Sequence, residues 1–143
     1  MLDTHQILVK AIIERDDAAL LMRRSKKDAP DPYQNLTGAW DIPGGRLRIG
    51  EGIEKGLERE VAEETGLRIN QINGILEVKT VLSWESNCII RITYICSVYD
   101  GQVILSEEHT AAQWFQKQEL ARLYYKDKIL RETVIKYLRG DEQ

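Results

Sequence analysis

Residues 45–67 read Gly45-Arg46-Leu47-Arg48-Ile49-Gly50-Glu51-Gly52-Ile53-Glu54-Lys55-Gly56-Leu57-Glu58-Arg59-Glu60-Val61-Ala62-Glu63-Glu64-Thr65-Gly66-Leu67. From Gly52 to Thr65 the pattern predicts a helix, and Gly66 is placed to stop it. At about 100° per residue, Ile53, Leu57, Glu60 and Glu64 fall within a sector of roughly 60°. Val61 flanks that sector on one side and Glu63 on the other. The apolar stripe of the first half therefore runs into carboxylates in the second half. A surface helix places its charges opposite its apolar face. Glu54, Lys55 and Glu58 obey that rule, whereas Glu60 and Glu64 break it.

The three carboxylates at positions 60, 63 and 64 are neighbours on one helix. Crowded and partly desolvated, some of them would hold protons. A hard divalent cation removes that cost, and an all-oxygen ligand set suits magnesium, with manganese as a substitute, better than zinc. Arg59 supplies fixed positive charge beside Glu60, with Glu51 at the helix start as its natural partner. Upstream, Pro43-Gly44-Gly45, Gly50 and Gly52 either make tight turns or let the backbone approach an ion or phosphate closely. Arg23, Arg24, Lys26, Lys27, Arg46 and Arg48 are either phosphate contacts or solvated surface.

Around this helix the chain reads as α/β. Gln6 to Glu14 and Ala18 to Arg24 are strands joined by a turn at Asp16-Asp17. Lys26 to Gly38 has loop chemistry, and Trp40-Asp41-Ile42 is a short extended piece stopped by Pro43-Gly44-Gly45. Ile72 to Trp84 and Cys88 to Tyr99 form a long hairpin across Glu85-Ser86-Asn87. Asp100-Gly101 turns into Gln102 to Leu105, and Thr110 to Phe115 is a last strand. Lys126 to Leu138 is an amphipathic helix with Ile129, Leu130, Thr133, Val134, Tyr137 and Leu138 inward.

The 143 residues suit one domain, 1–143, with 43% hydrophobic and 30% charged residues. A net charge of -3 argues against broad attraction to nucleic acid polymers or acidic membranes. No apolar run approaches the roughly 20 residues that span a bilayer. The start, Met1-Leu2-Asp3-Thr4-His5, lacks a basic segment followed by an apolar one, so no secretory signal is expected. Cys88 and Cys96 lie roughly 26 Å apart in one strand, too far for a disulfide. Two reduced thiols fit a cytoplasmic protein.

Gly45, Glu51 and Arg59-Glu60-Val61-Ala62-Glu63-Glu64-Thr65-Gly66-Leu67 match the Nudix box at every specified position. A chance match in a chain of this length is on the order of one in ten million. The lead-in Leu36-Thr37-Gly38-Ala39-Trp40-Asp41-Ile42-Pro43-Gly44-Gly45 and the late run Glu107-Glu108-His109 with Trp114-Phe115 also resemble the family. The resemblance implies a Nudix fold, a mixed β-sheet sandwiched between α-helices, and magnesium-dependent hydrolysis of a pyrophosphate bond in a nucleoside diphosphate derivative. It implies metal binding by Glu60, Glu64 and the Gly45 carbonyl, with Glu63 binding metal or serving the general base. It makes Arg59 and Glu51 a supporting ion pair and Glu108, ahead of Glu107, an outer carboxylate. Arg24 matches a substrate-contacting arginine of the MutT-like branch.

No proline stands near Leu82, where ADP-ribose hydrolases of the family carry one, and Trp84-Glu85 replaces the tyrosine of dinucleoside polyphosphate hydrolases. These features favour a nucleoside triphosphate pyrophosphohydrolase releasing nucleoside monophosphate and pyrophosphate. ADP-ribose or a nucleotide sugar is the second substrate class. A non-catalytic nucleotide sensor is a reading of another kind, opposed by the intact acidic positions. Trp84 either stacks on a base or packs at a strand end. Trp40 and Trp114 read as core, and His109, beside the acidic loop, either contacts phosphate or, as the favoured reading, is an exposed loop residue. Many members of the family are homodimers, but no interface is legible in this sequence.

Overall fold

The computed structural model describes residues 4–25, 36–81 and 87–140. Strands β1 (Thr4–Arg15) and β2 (Ala18–Arg24) form a tight hairpin. Its turn places Asp16 and Asp17 at φ 51° and 63°, the twist that two-residue hairpins favour. Then follow β3 (Trp40–Asp41), β4 (Gly44–Arg46) and helix α1 (Ile53–Thr65). Next come β5 (Ile69–Val81), β6 (Asn87–Val98) and β7 (His109–Gln116), and the chain closes with α2 (Lys117–Arg122) and α3 (Lys128–Arg139).

The strands make one mixed sheet in the order β3-β2-β1-β6-β5, with β4 paired to β1 and β7 to β2. Among the described strands only the β1–β6 pairing is parallel; β5–β6 is the expected hairpin. The tip of that hairpin, Trp84 included, lies outside the described residues. β1 changes partner along its length: Glu14 and Arg15 pair with β2, while Leu8 to Lys10 pair with β4. Where β1 parts from β2, the β3–β4 corner enters.

Alternation along the strands builds two cores. Val9, Ala11, Ile13, Leu20 and Met22 pack with Leu57 and Val61 of α1. Ile12, Ala19, Leu21, Trp40 and Phe115 pack with Leu130, Val134 and Tyr137 of α3. Leu57 and Val61 are fully buried, each contributing about 1.5–3 kcal/mol, and they fix which way α1 faces. Asp127 caps α3 by accepting from the Ile129 and Leu130 amides at 2.9 and 3.3 Å.

Three expectations need correction. Ile53, counted with the apolar stripe, is 41% exposed, because it is the first residue of α1 and overhangs the core. Gly44-Gly45 continues as a strand instead of only ending one, since β1 offers it a free edge. Helix α2 was not foreseen: its six residues are too short to show a period, and a capping box between Gln116 and Glu119 starts it. No described helix is long and apolar enough to cross a membrane.

The sheet requires a glycine at position 44. Its φ is +145°, and a Cβ there would lie 2.1 Å from the Val9 carbonyl oxygen. Gly44→Ala is expected to lower unfolding stability by about 2–4 kcal/mol. Gly52→Ala, whose Cβ meets nothing within 4 Å, is expected to cost under about 1 kcal/mol. Urea unfolding of both variants checks this, and equal midpoints contradict it.

Candidate active site

Four charged side chains of α1, Arg59, Glu60, Glu63 and Glu64, project toward the β4 corner and the turn before β7. Together with Arg46, Arg48, Ser106, Glu107 and Glu108 they line a cleft of about 440 Å³. α1 reaches β4 so closely because residue 45 has no side chain. A Cβ on Gly45 would stand 2.5 Å from a Glu60 carboxylate oxygen.

Arg59 organises one wall. Its Nε and Nη2 donate to the two Glu51 carboxylate oxygens at 2.6 and 3.0 Å, a bidentate pair. Nη1 donates to Glu60 at 2.9 Å and Glu63 at 3.1 Å, and Nη2 also reaches the Arg46 carbonyl at 3.2 Å. The Arg59 fork and the Arg48 backbone amide hold Glu51 down at a pKa of about 2. The bonds to Glu51 and Glu60 push the guanidinium up. Glu51 thus joins the approach loop to α1 through Arg59, as expected of the pair.

Glu64 occupies the deepest position, 6% exposed. Its Oε1 accepts the Gly44 N–H at 2.8 Å. Burial pushes its pKa up to about 8, against the pull of Lys10 and of the Gly44 amide. Burial also raises Glu60, opposed by Arg59. Glu63 is the open one: its side chain is half-exposed and lies 3.6 Å from Arg48 as well as beside Arg59.

The turn before β7 brings in the opposite wall. Ser25, at the end of β2, donates its N–H to the Glu108 carbonyl at 2.8 Å and its hydroxyl to the Glu107 carbonyl at 2.7 Å. This lashing sets Glu108 and His109 against α1. Ligand atoms of Glu64, Glu108 and His109 all lie within 4.8 Å of one another, a spacing that can hold a metal ion. Glu107 lines the cleft but stands outside that group.

The structure brings together Glu51, Arg59, Glu60, Glu63, Glu64, Gly45, Arg46 and Glu108. Arg24 is not among the cleft-lining residues. It sits one strand away, its backbone bonded to Ala39 and Gly38, and its charge helps to keep Asp41 ionised. Arg23 is engaged elsewhere, stacking on Trp40 at 4.2 Å and donating to the Gly38 carbonyl at 3.0 Å. Trp84, Lys26 and Lys27 lie outside the described residues. His109 corrects the expectation of an exposed loop: it opens β7 opposite Arg24 and is 6% exposed. Its place directly after two glutamates was the available signal. Lys10, a lone cation within an apolar strand, marked a second buried group that sequence reading passed over. Trp40 is buried and Trp114 half-buried, both against the core as expected.

The NUDIX domain family matches residues 4–137. A MutT-like protein of Streptomyces ambofaciens is 30% identical over 117 residues, covering 82% of this chain and 68% of that protein. An ADP-ribose pyrophosphatase of Methanocaldococcus jannaschii is 29% identical over 128 residues, covering 88% of this chain and 71% of its own. Among solved structures, a MutT protein from Methanosarcina mazei superposes with a TM-score of 0.82 at 24% identity, covering 100% of this chain and 99% of the other. The fold, the intact glutamate helix and the match along nearly the whole chain lead to one conclusion: this protein belongs to the Nudix hydrolase family.

Proposed function

We propose that this protein hydrolyses a nucleoside triphosphate to nucleoside monophosphate and pyrophosphate, with a magnesium ion held by Glu60, Glu64, Glu108 and the Gly45 carbonyl. The observation that carries the reading is the convergence of Glu64, Glu108 and His109, the two glutamates lining a cleft edged by Arg46 and Arg48. The donor set fits a hard divalent cation, because it is dominated by carboxylate oxygens. The single nitrogen of His109 suits manganese as a substitute. The missing Cβ at Gly45 supports the same assignment, since it lets the Glu60 carboxylate approach the β4 backbone.

A bound divalent cation would polarise phosphate oxygens and acidify water. The protein's own groups do the rest. Arg46 and Arg48 attract the phosphate chain to the cleft mouth. Arg59 ties Glu60 and Glu63 to one wall of the cleft, anchored in turn by Glu51. Glu63, the half-exposed carboxylate, orients the attacking water and accepts its proton. Glu108 sits across the cleft as the second candidate for that duty. The ADP-ribose pyrophosphatase relative supports a second reading of the substrate, ADP-ribose or a nucleotide sugar, cleaved by the same chemistry.

Product analysis on triphosphates, ADP-ribose and nucleotide sugars decides between these readings. Magnesium-dependent release of pyrophosphate from triphosphates is expected. Turnover restricted to ADP-ribose or sugars contradicts the substrate assignment, and tight binding without turnover favours a sensor. Glu64→Gln is expected to lower kcat at least about 100-fold, near 3 kcal/mol of barrier. Near wild-type turnover in that variant contradicts the metal assignment.

A pH dependence follows from Glu64. Its folded pKa of about 8 lies above the ordinary value of 4.5. In the metal-free protein the neutral form therefore stabilises the fold below pH 4.5, and that contribution is lost as pH rises through 8. Metal must displace this proton, so affinity is expected to rise from pH 6 to about 8 and then level. Calorimetric titration at pH 7 in buffers of different ionisation enthalpy should detect about one proton released per metal bound. Release of none contradicts the protonated state of Glu64.

A further inference from the structure

Lys10 and Asp41 form an ion pair at 3.1 Å, and the two residues are only 7% and 6% exposed. Hiding two charges from water costs several kcal/mol per ion before their attraction is counted, and apolar side chains often serve stability as well or better. Neither residue lines the cleft. Their surroundings nevertheless connect them to it within a few bonds.

Asp41 Oδ1 accepts the Ile42 N–H at 2.8 Å, which fixes the start of the β3–β4 corner. The Ala11 N–H donates to the Pro43 carbonyl at 2.8 Å, and Lys10 is the register partner of Gly44. The Lys10 stem lies under Gly44, its Cδ 2.8 Å from where a Cβ would stand. Gly44 then donates its N–H to Glu64 Oε1. Through this chain, β1 is clamped to the corner whose amide holds the deepest carboxylate.

We propose that the Lys10–Asp41 ion pair is a positioning device for metal binding: it pins the Pro43–Gly45 corner to β1, so that the Gly44 amide fixes one oxygen of Glu64 and leaves the other for the cation. This rests on the metal reading given above. Lys10 and Asp41 touch neither metal nor substrate; they act through Gly44 and Glu64. Glu64 swings without the clamp, and the cation loses a preset ligand.

Direct Mn²⁺ titration by electron paramagnetic resonance, without substrate, tests this on the full chain alongside urea unfolding. Lys10→Met is expected to weaken Mn²⁺ binding at least about 10-fold, and Lys10→Arg, which keeps the charge, to stay within about 3-fold of wild type. Lys10→Met/Asp41→Leu leaves no buried charge of the pair, so it should regain wild-type unfolding stability while its Mn²⁺ affinity stays at least about 10-fold weaker. Wild-type Mn²⁺ affinity in the folded double variant overturns the proposal and leaves the pair a packing feature. A measurement on the unsubstituted protein stands independently of how the variants fold. The Gly44 amide should exchange with solvent as slowly as the core of β1, and exchange within minutes overturns the clamp. Failure of the wild-type protein itself to bind Mn²⁺ overturns the metal reading and, with it, this proposal; normal wild-type binding with unaffected variants overturns this proposal alone.

Discussion

The site depends on one carboxylate being held out of water. Glu64 lies on the buried face of α1 because Leu57 and Val61, on that same helix, are locked into the core. A carboxylate in that position must find fixed partners or keep a proton. It finds the Gly44 amide, and that requirement constrains the neighbourhood. Residue 44 must adopt φ +145° against β1, residue 45 must lack a Cβ, and β4 must sit close enough to α1 for a backbone amide to reach a side chain.

Charge is arranged in two tiers around this point. The outer tier is the Arg59 fork, which engages Glu51, Glu60 and Glu63 together and ties the approach loop to the helix. It is partly solvated, so it serves geometry more than stability. The inner tier is Lys10 with Asp41, both buried, facing the corner from the sheet side. Between the tiers, ligand atoms of Glu64, Glu108 and His109 lie within 4.8 Å of one another. Such a spacing can hold a divalent ion.

Much of this was legible in the sequence, for physical reasons that can be named. Glu60 and Glu64 were readable because a helix has a fixed period and Leu57 fixed its phase. The ends of β1 and α1 were readable from Asp16-Asp17 and Gly66, residues suited to positive φ. The Ile53 error came from treating the first helical residue as if the core extended beneath it. His109 and Lys10 were hidden because their burial is decided by strands far away in the chain. His109 is covered through the β2–β7 pairing, and Lys10 meets Asp41 31 residues later, where β1 changes partner. Helix periodicity carries no information about such long-range pairings, and β4 and α2 are too short to have a period at all.

Anomalous diffraction from crystals soaked in Mn²⁺ tests the central claim most directly, because it locates the ion without relying on any choice of substrate. A manganese peak within about 2.5 Å of carboxylate oxygens of both Glu64 and Glu108 is the predicted result. A peak coordinated elsewhere, or none at a concentration where the protein binds Mn²⁺ in solution, would contradict the assignment of this cleft as the metal-dependent hydrolytic centre.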